Sequence, residues 1–153
     1  MKVFRLVQAR FRDAVLSGQG ASFRHGARWN RPGQRAVYTS ENRALAVIET
    51  LAHMPSLSGL PSHVMCEIDV DDAAVENALE APSPVAAPAA ADYGSAWFRE
   101  SRSVALAVPS IIVPEERNVV LNAAHPEFES RARLLATVDY PIDERLRNLF
   151  GRQ

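Results

Sequence analysis

Cysteine is almost missing from this chain: Cys66 is the one cysteine in 153 residues, so no disulfide can form within it. A lone thiol fits a reducing cytosol, and the expected location is cytoplasmic. No apolar run approaches the ~18 residues that a membrane span needs. The opening MKVFRLVQARFRD is interrupted by charges and does not read as a secretory leader. A P-loop, a Rossmann glycine pattern, an HExxH pair and a GxSxG elbow are all absent. The four histidines (His25, His53, His63, His125) lack metal-ligand spacing, so no metal is expected. No internal repeat is found. Lysine is nearly absent too: of 17 basic side chains, all but Lys2 are arginine. Arginine presents a planar fork that suits phosphate and carboxylate.

What is present is one domain's worth of globular chain. Apolar residues make up 47% and charged residues 23%, which is ordinary for a folded domain and excludes disorder as the main state. A chain of this size buries roughly 68–70% of its unfolded surface, enough for a core without staples. The net charge of −1 hides an asymmetry. Residues 1–43 carry nine basic side chains against two acidic ones, a net of +7, and the remainder carries a net of −8. A basic first third points to an anionic ligand or partner, or to neutralisation of one half by the other within the fold.

The pattern predicts a strand over 2–8, a short helix near 10–17, a Gly- and Arg-rich loop over 18–35 and a buried strand at 36–39. Ser40 suits a helix N-cap with Glu41 in the first turn, and a helix is predicted over about 41–53. Leu45, Ile48 and Ala52 share its apolar face. Strands are predicted at 63–70 and 104–109, with NVVLN as another extended piece. Residues 77–92, rich in Ala and Pro, read as a loop or lid. A helix is expected over 94–103, a strand or helix at 133–140, and a short helix over 143–149. The fold class is α+β: a single domain, 1–153, of small mixed β-sheets with a few short helices.

Four polar positions stand out. Arg28, in GARWN, offers a fork for phosphate or carboxylate, or is a solvated surface arginine. Tyr38, in VYTS, is a core tyrosine or an aromatic face for a flat ring. Glu49 lies on or beside an apolar helix face, where a carboxylate must be paired, hydrogen-bonded or functional. Ser110 follows Pro109 at a strand end, where it either caps a turn or lines a site. Cys66, in a predicted strand, reads as a core residue.

GARWNRPGQRAVYTSENRALAVIETLAH closely resembles the N-terminal motif of RES-domain proteins, and WFRESRSVALAVPSIIVPEERNVVLNAAHPEF resembles their second motif. Together the motifs cover about 60 residues, in the family's order and separation, and the whole chain is the length of one RES domain. The family is named for an Arg, a Glu and a Ser, which by position are Arg28, Glu49 and Ser110. One departure is visible: the family often has Pro after the Asn of its LxN segment, and here Asn122 is followed by Ala123. The resemblance implies the toxin of a type II toxin–antitoxin pair, with an Xre-type helix-turn-helix antitoxin and a fold similar to that of ADP-ribosyltransferase toxins. It implies NAD+ as substrate, cleaved at the nicotinamide–ribose bond by phosphorolysis or hydrolysis.

With that substrate, Arg28 would hold the pyrophosphate and Tyr38 would stack on nicotinamide. Glu49 would stabilise the oxocarbenium-like centre or hold a ribose hydroxyl. Ser110 would contact nicotinamide or ribose, and Asn122 is a further candidate for the pocket. Two other readings stay open: a protein ADP-ribosyltransferase using the same pocket, and a non-enzymatic module that binds RNA or an acidic partner. The first reading expects no direct nucleic-acid contact and phosphate as a possible co-substrate. A homodimer is kept as one candidate assembly.

Overall fold

The structure is a computed structural model that describes residues 1–54, 61–78 and 87–146. In chain order these form β1 (Lys2–Gln8), a 3-10 turn (Ala9–Ala14), α1 (Ala21–His25), β2 (Ala36–Ser40), α2 (Arg43–Ala52), β3 (His63–Val70), a second 3-10 turn (Asp72–Ala74), β4 (Val75–Asn77), α3 (Ala87–Glu100), β5 (Ala105–Pro109), β6 (Arg117–Asn122), α4 (Phe128–Arg131) and β7 (Ala132–Tyr140). The α+β class holds. The described strands gather in one seven-stranded mixed sheet of order β4-β5-β6-β2-β1-β3-β7. Only β4 and β5 pair in parallel.

Strand alternation sets what each face buries. Phe4, Leu6 and Met65 pack beneath α2 against Ala46, Val47 and Leu51. Ala36, Leu106, Val108 and Val120 lie on the same side beneath α3 and its Trp97. Val3, Val37, Ile68, Val119 and Leu121 face the other way, toward Phe128 of α4. Cys66 is buried there beside Val15 and Val64. Trp97 is fully buried, and its indole N–H donates to Ser103 Oγ at 2.7 Å, so its one polar atom is satisfied.

Several local expectations change. The predicted helix at 10–17 is the 3-10 turn Ala9–Ala14, and the 18–35 loop contains the short α1. Asn42, not Ser40, caps α2: its Oδ1 accepts the Leu45 N–H at 2.8 Å. Ser40 is held as the last residue of β2, opposite Asn118. On α2 the buried residues are Leu45, Ala46, Val47 and Leu51, whereas Ile48 is 40% exposed. Within 77–92, Ala87 onward is helical rather than a loop, and the rest of the expected lid, 79–86, lies outside the described residues. Pro88 falls in the first turn of α3, where its missing N–H costs nothing, and alanine favours the helix that follows. The ambiguous 133–140 segment is a strand, paired with β3. Of the expected 143–149 helix, a helical turn is described at 144–146. Among the described residues no helix is long and apolar enough to cross a membrane.

The joint between β1 and β2 positions the site. These neighbours share a single registered pair, Phe4 with Ser40. By contrast, β1 pairs with β3 along its whole length. Beyond Phe4 the strands part, and Arg5, Leu6 and Val7 of β1 and Tyr38 and Thr39 of β2 line one cavity.

Candidate active site

The cavity has a volume of about 590 Å³ and is bounded by β1, β2, α1, the 27–29 turn and α2. That is a normal size for a small-molecule site. Arg28, Tyr38 and Glu49 all line it.

Each letter of GARWN has a structural task. Gly26 ends α1 with φ 75°, a conformation that favours glycine, and its N–H donates to the Ser22 carbonyl. Ala27 and Asn30 exchange backbone hydrogen bonds at 2.9 and 3.3 Å, so Arg28 and Trp29 form the tip of a tight turn. Trp29 is buried beside Tyr93, whose ring meets it edge-on at 6.3 Å. Gly94 of α3 lies so close that an added Cβ would come within 1.9 Å of the Trp29 carbonyl oxygen. The Asn30 amide donates to the carbonyls of Ser22 and Arg31, both at 3.0 Å. Arg28 is thereby delivered to the cavity from a buried, bonded base.

Tyr38 holds that turn from below. Its hydroxyl donates to Asn30 Oδ1 at 2.8 Å and accepts the Trp29 N–H at 3.1 Å. Burial pushes its pKa far up, so it stays a neutral phenol.

Glu49 is the most constrained polar group. Its Oε1 accepts two hydrogen bonds, from Ser110 Oγ at 2.8 Å and from Asn118 Nδ2 at 2.6 Å. Both donors are neutral, and among the described residues no cation pairs with the carboxylate. Its other oxygen, Oε2, accepts nothing from the described protein. One oxygen is clamped and the other is left for whatever enters the cavity. A carboxylate fixed in this way is suited to stabilising positive charge that develops in front of it.

Both donors are themselves held. Ser110, 3% exposed, accepts the N–H groups of Ile112 and Val113 at 3.1 and 3.0 Å, which directs its hydrogen to Glu49. Ser110 stands behind Glu49 and is not among the residues lining the cavity. Asn118, on β6, accepts Ser40 Oγ on its Oδ1 at 2.8 Å, which fixes which end of the amide faces Glu49.

Asn122, also on β6, is placed elsewhere. Four residues from Asn118 along an extended strand is about 13 Å. Its Oδ1 accepts the Ala124 N–H at 3.1 Å, its N–H donates to the Val104 carbonyl, and it does not line the cavity. The sequence reading passed over Asn118, Arg5 and His53, all of which line the cavity. His53 is one turn beyond Glu49 on α2, and its Nδ1 sits 2.7 Å from the Glu49 carbonyl. That carbonyl can only accept, so Nδ1 carries the hydrogen. The four-residue spacing was the available signal for His53.

The RES domain family matches residues 2–143. The chain belongs to that family. A curated relative from Photorhabdus laumondii subsp. laumondii, called Toxin Res, is 34% identical over 152 residues, which cover 95% of this chain and 97% of the relative. A Toxin Res from Yersinia enterocolitica serotype O:8 is 31% identical over 156 residues, covering 96% of this chain and all of the relative. A protein from Sphingobium sp. strain YBL2, called Prs ADP-ribosylating toxin, is 43% identical over 122 residues, 73% of this chain and 74% of the relative. This RES-family chain therefore has toxins as its relatives over most of its length.

Proposed function

We propose that this RES-family chain is a toxin that takes NAD+ into the cavity and cleaves its nicotinamide–ribose bond. The observation that carries this reading is the Glu49 carboxylate, clamped on Oε1 by two neutral donors and open on Oε2. The bond from ribose C1′ to the pyridinium nitrogen breaks, and its electron pair leaves with nicotinamide, which becomes neutral. C1′ acquires oxocarbenium character, and the acceptor oxygen then closes a new C1′–O bond. With water as acceptor one proton is released and the product is ADP-ribose; with inorganic phosphate the product is phosphorylated ADP-ribose. Glu49 faces the developing cation or a ribose hydroxyl. A preorganised group of this kind is typically worth ~2.7–4 kcal/mol of barrier. Arg28 grips the pyrophosphate, and the Tyr38 ring faces nicotinamide. Ser110 and Asn118 act through Glu49 as positioning residues.

A second reading is transfer of ADP-ribose to a protein side chain, favoured by the 43% identical relative named as an ADP-ribosylating toxin. Both readings share the cavity and Glu49 and differ in the acceptor. Since the relatives are called toxins, an antitoxin is the expected partner, and the helix-turn-helix type suggested by the family resemblance belongs to this proposal.

The test is to incubate purified protein with NAD+, with and without phosphate, and identify the products by mass spectrometry. Nicotinamide with phosphorylated ADP-ribose, formed only when phosphate is present, establishes phosphorolysis. Free ADP-ribose under both conditions establishes hydrolysis. Intact NAD+ under both conditions, from folded protein free of antitoxin, overturns cleavage onto small acceptors. Protein transfer is then read as ADP-ribose on a co-incubated polypeptide.

A further inference from the structure

The two edges of the sheet differ. At one end β4 is three residues long, a short edge that offers little to another strand. At the other end β7 is nine residues long and pairs with β3 on its inner side. Among the described residues nothing pairs with its outer side. Two breaks bound the regular part of this edge. Glu67 pairs with Ala136 and Ile68 with Leu134, so Leu135 is a bulge without a partner. Pro141, directly after the strand, has no N–H to donate. Between them, 136–140 reads ATVDY, with no proline or lysine to blunt the edge. Its one charge, Asp139, is met by Arg12 at 2.9 Å on Oδ1. At its centre Val138 is 62% exposed, the most of any large hydrophobic side chain among the described residues.

This window is complementary to itself. A second copy set antiparallel to it, about a two-fold axis through Val138, matches at every position. Val138 meets Val138 of the second copy. Ala136 and Tyr140 share the sheet face of Val138 and meet Tyr140 and Ala136, a small side chain against a large one in both places. Thr137 and Asp139 lie on the opposite face and meet each other twice. The Thr137 hydroxyl, whose present partner is Cys66 Sγ at 3.9 Å, can then donate to the Asp139 Oδ2 that Arg12 leaves open. The bulge at Leu135 falls opposite Pro141, so the two features that end the ladder coincide. Moving the axis by one residue either way puts the bulge or the proline inside the ladder. We propose that the outer edge of β7, over 136–140, is a contact between two copies of this chain, joining their sheets into one across the axis. The contact is smaller than the ~1,200 Å² at which standard interfaces begin, so the dimer forms with rising concentration. None of 136–140 lines the cavity, so both copies keep it open. The inference does not depend on the NAD+ reading.

The first measurement is sedimentation velocity on the unaltered chain, from about 5 µM to about 1 mM, which spans weak association. The weight-average mass is expected to rise from 16.8 kDa toward twice that and stop there, because a two-fold contact closes on itself. A mass constant at 16.8 kDa, or one that climbs beyond two chains, overturns the proposal. Val138→Lys sets two like charges against each other on the axis and is expected to stay monomeric. Its circular dichroism spectrum is expected to be unchanged, because the side chain is exposed. Undiminished dimerisation in that variant places the contact elsewhere and overturns the proposal. The register is read with Val138→Cys under mild oxidation. Directly opposed Cα atoms lie about 4.5–5.5 Å apart, within disulfide reach, so a covalently linked dimer is expected. Leu135→Cys faces Pro141 in this register rather than its own copy, and is expected to link far less. Cys66 is buried and does not compete. No linked dimer from Val138→Cys, or equal linking by both variants, overturns the pairing.

Discussion

Glu49 and Glu67 are both partly buried carboxylates on regular elements, and the chain treats them in opposite ways. Glu67, on β3, has a cation on each oxygen: Lys2 Nζ on Oε1 and Arg43 on Oε2. Its pKa is lowered chiefly by the hydrogen bond from Lys2. Glu49, on α2, has two neutral donors on one oxygen and nothing from the described protein on the other. A carboxylate with cations on both oxygens has its charge spoken for. One oriented by neutral groups keeps its charge available to a cation that appears only during a reaction. If Glu49 acts as proposed, charge and partial burial are poor markers of function, and the kind of partner is the better one.

The comparison breaks most severely if Glu49 is given Glu67's environment. Asn118→Lys would put a cation beside the Glu49 carboxylate, and NAD+ turnover is expected to fall about a hundredfold or more, comparable to losing one preorganised catalytic group. Steady-state kinetics on protein with an unchanged circular dichroism spectrum checks this. Milder versions sharpen the same point. Asn118→Ala and Ser110→Ala each remove one hydrogen bond to a charged group, a loss of about 1.5–3 kcal/mol, or roughly tenfold to a hundredfold. The loss is expected in kcat with KM little changed, because both residues touch Glu49 and Ser110 does not line the cavity. A rise in KM alone would instead place Ser110 in ligand contact.

A smaller effect concerns pH. Burial pushes the His63 pKa below its usual value, with the nearby Pro61 carbonyl pulling weakly the other way. The unfolded chain therefore holds more protons on this residue than the folded one does. Its contribution is fully present above about pH 6.5 and is lost as pH falls through the lower folded-state value. Urea titrations over that range are expected to show falling stability on acidification, and His63→Phe is expected to flatten that limb. The smallest effect belongs to Glu67: Glu67→Gln is expected to leave kcat within about twofold, because Glu67 does not line the cavity and its partners are Lys2 and Arg43. A large loss of turnover would erase the distinction between the two carboxylates.

The parts of this molecule that depend on near neighbours in sequence were legible. The AVYT strand, the amphipathic helix carrying Glu49, and the oddity of a carboxylate near its apolar face all follow from local pattern. The GARWN turn also stood out, although its support by Tyr38 did not. Asn118 was missed because its meaning lies in register: it faces Ser40 across β2 and reaches Glu49 from 69 residues away. Arg5 was missed because a charged residue in a short strand is unremarkable until both flanking strands are known. Asn122 stood out as part of a motif, yet its side chain closes a turn at the far end of β6. The N-cap went to Asn42 rather than Ser40 because Ser40 is still paired in β2, opposite Asn118, and α2 starts only at Arg43. For Asn118 and for the choice between Ser40 and Asn42, a long-range pairing settled what local sequence left open.

The most direct test of the central claim is nicotinamide release from saturating NAD+ by the unaltered chain and by Glu49→Gln, with NAD+ binding measured on both. The account expects binding to be retained and release to fall by about two to three orders of magnitude. Equal rates of release from the two proteins would contradict it and remove Glu49 from the chemistry.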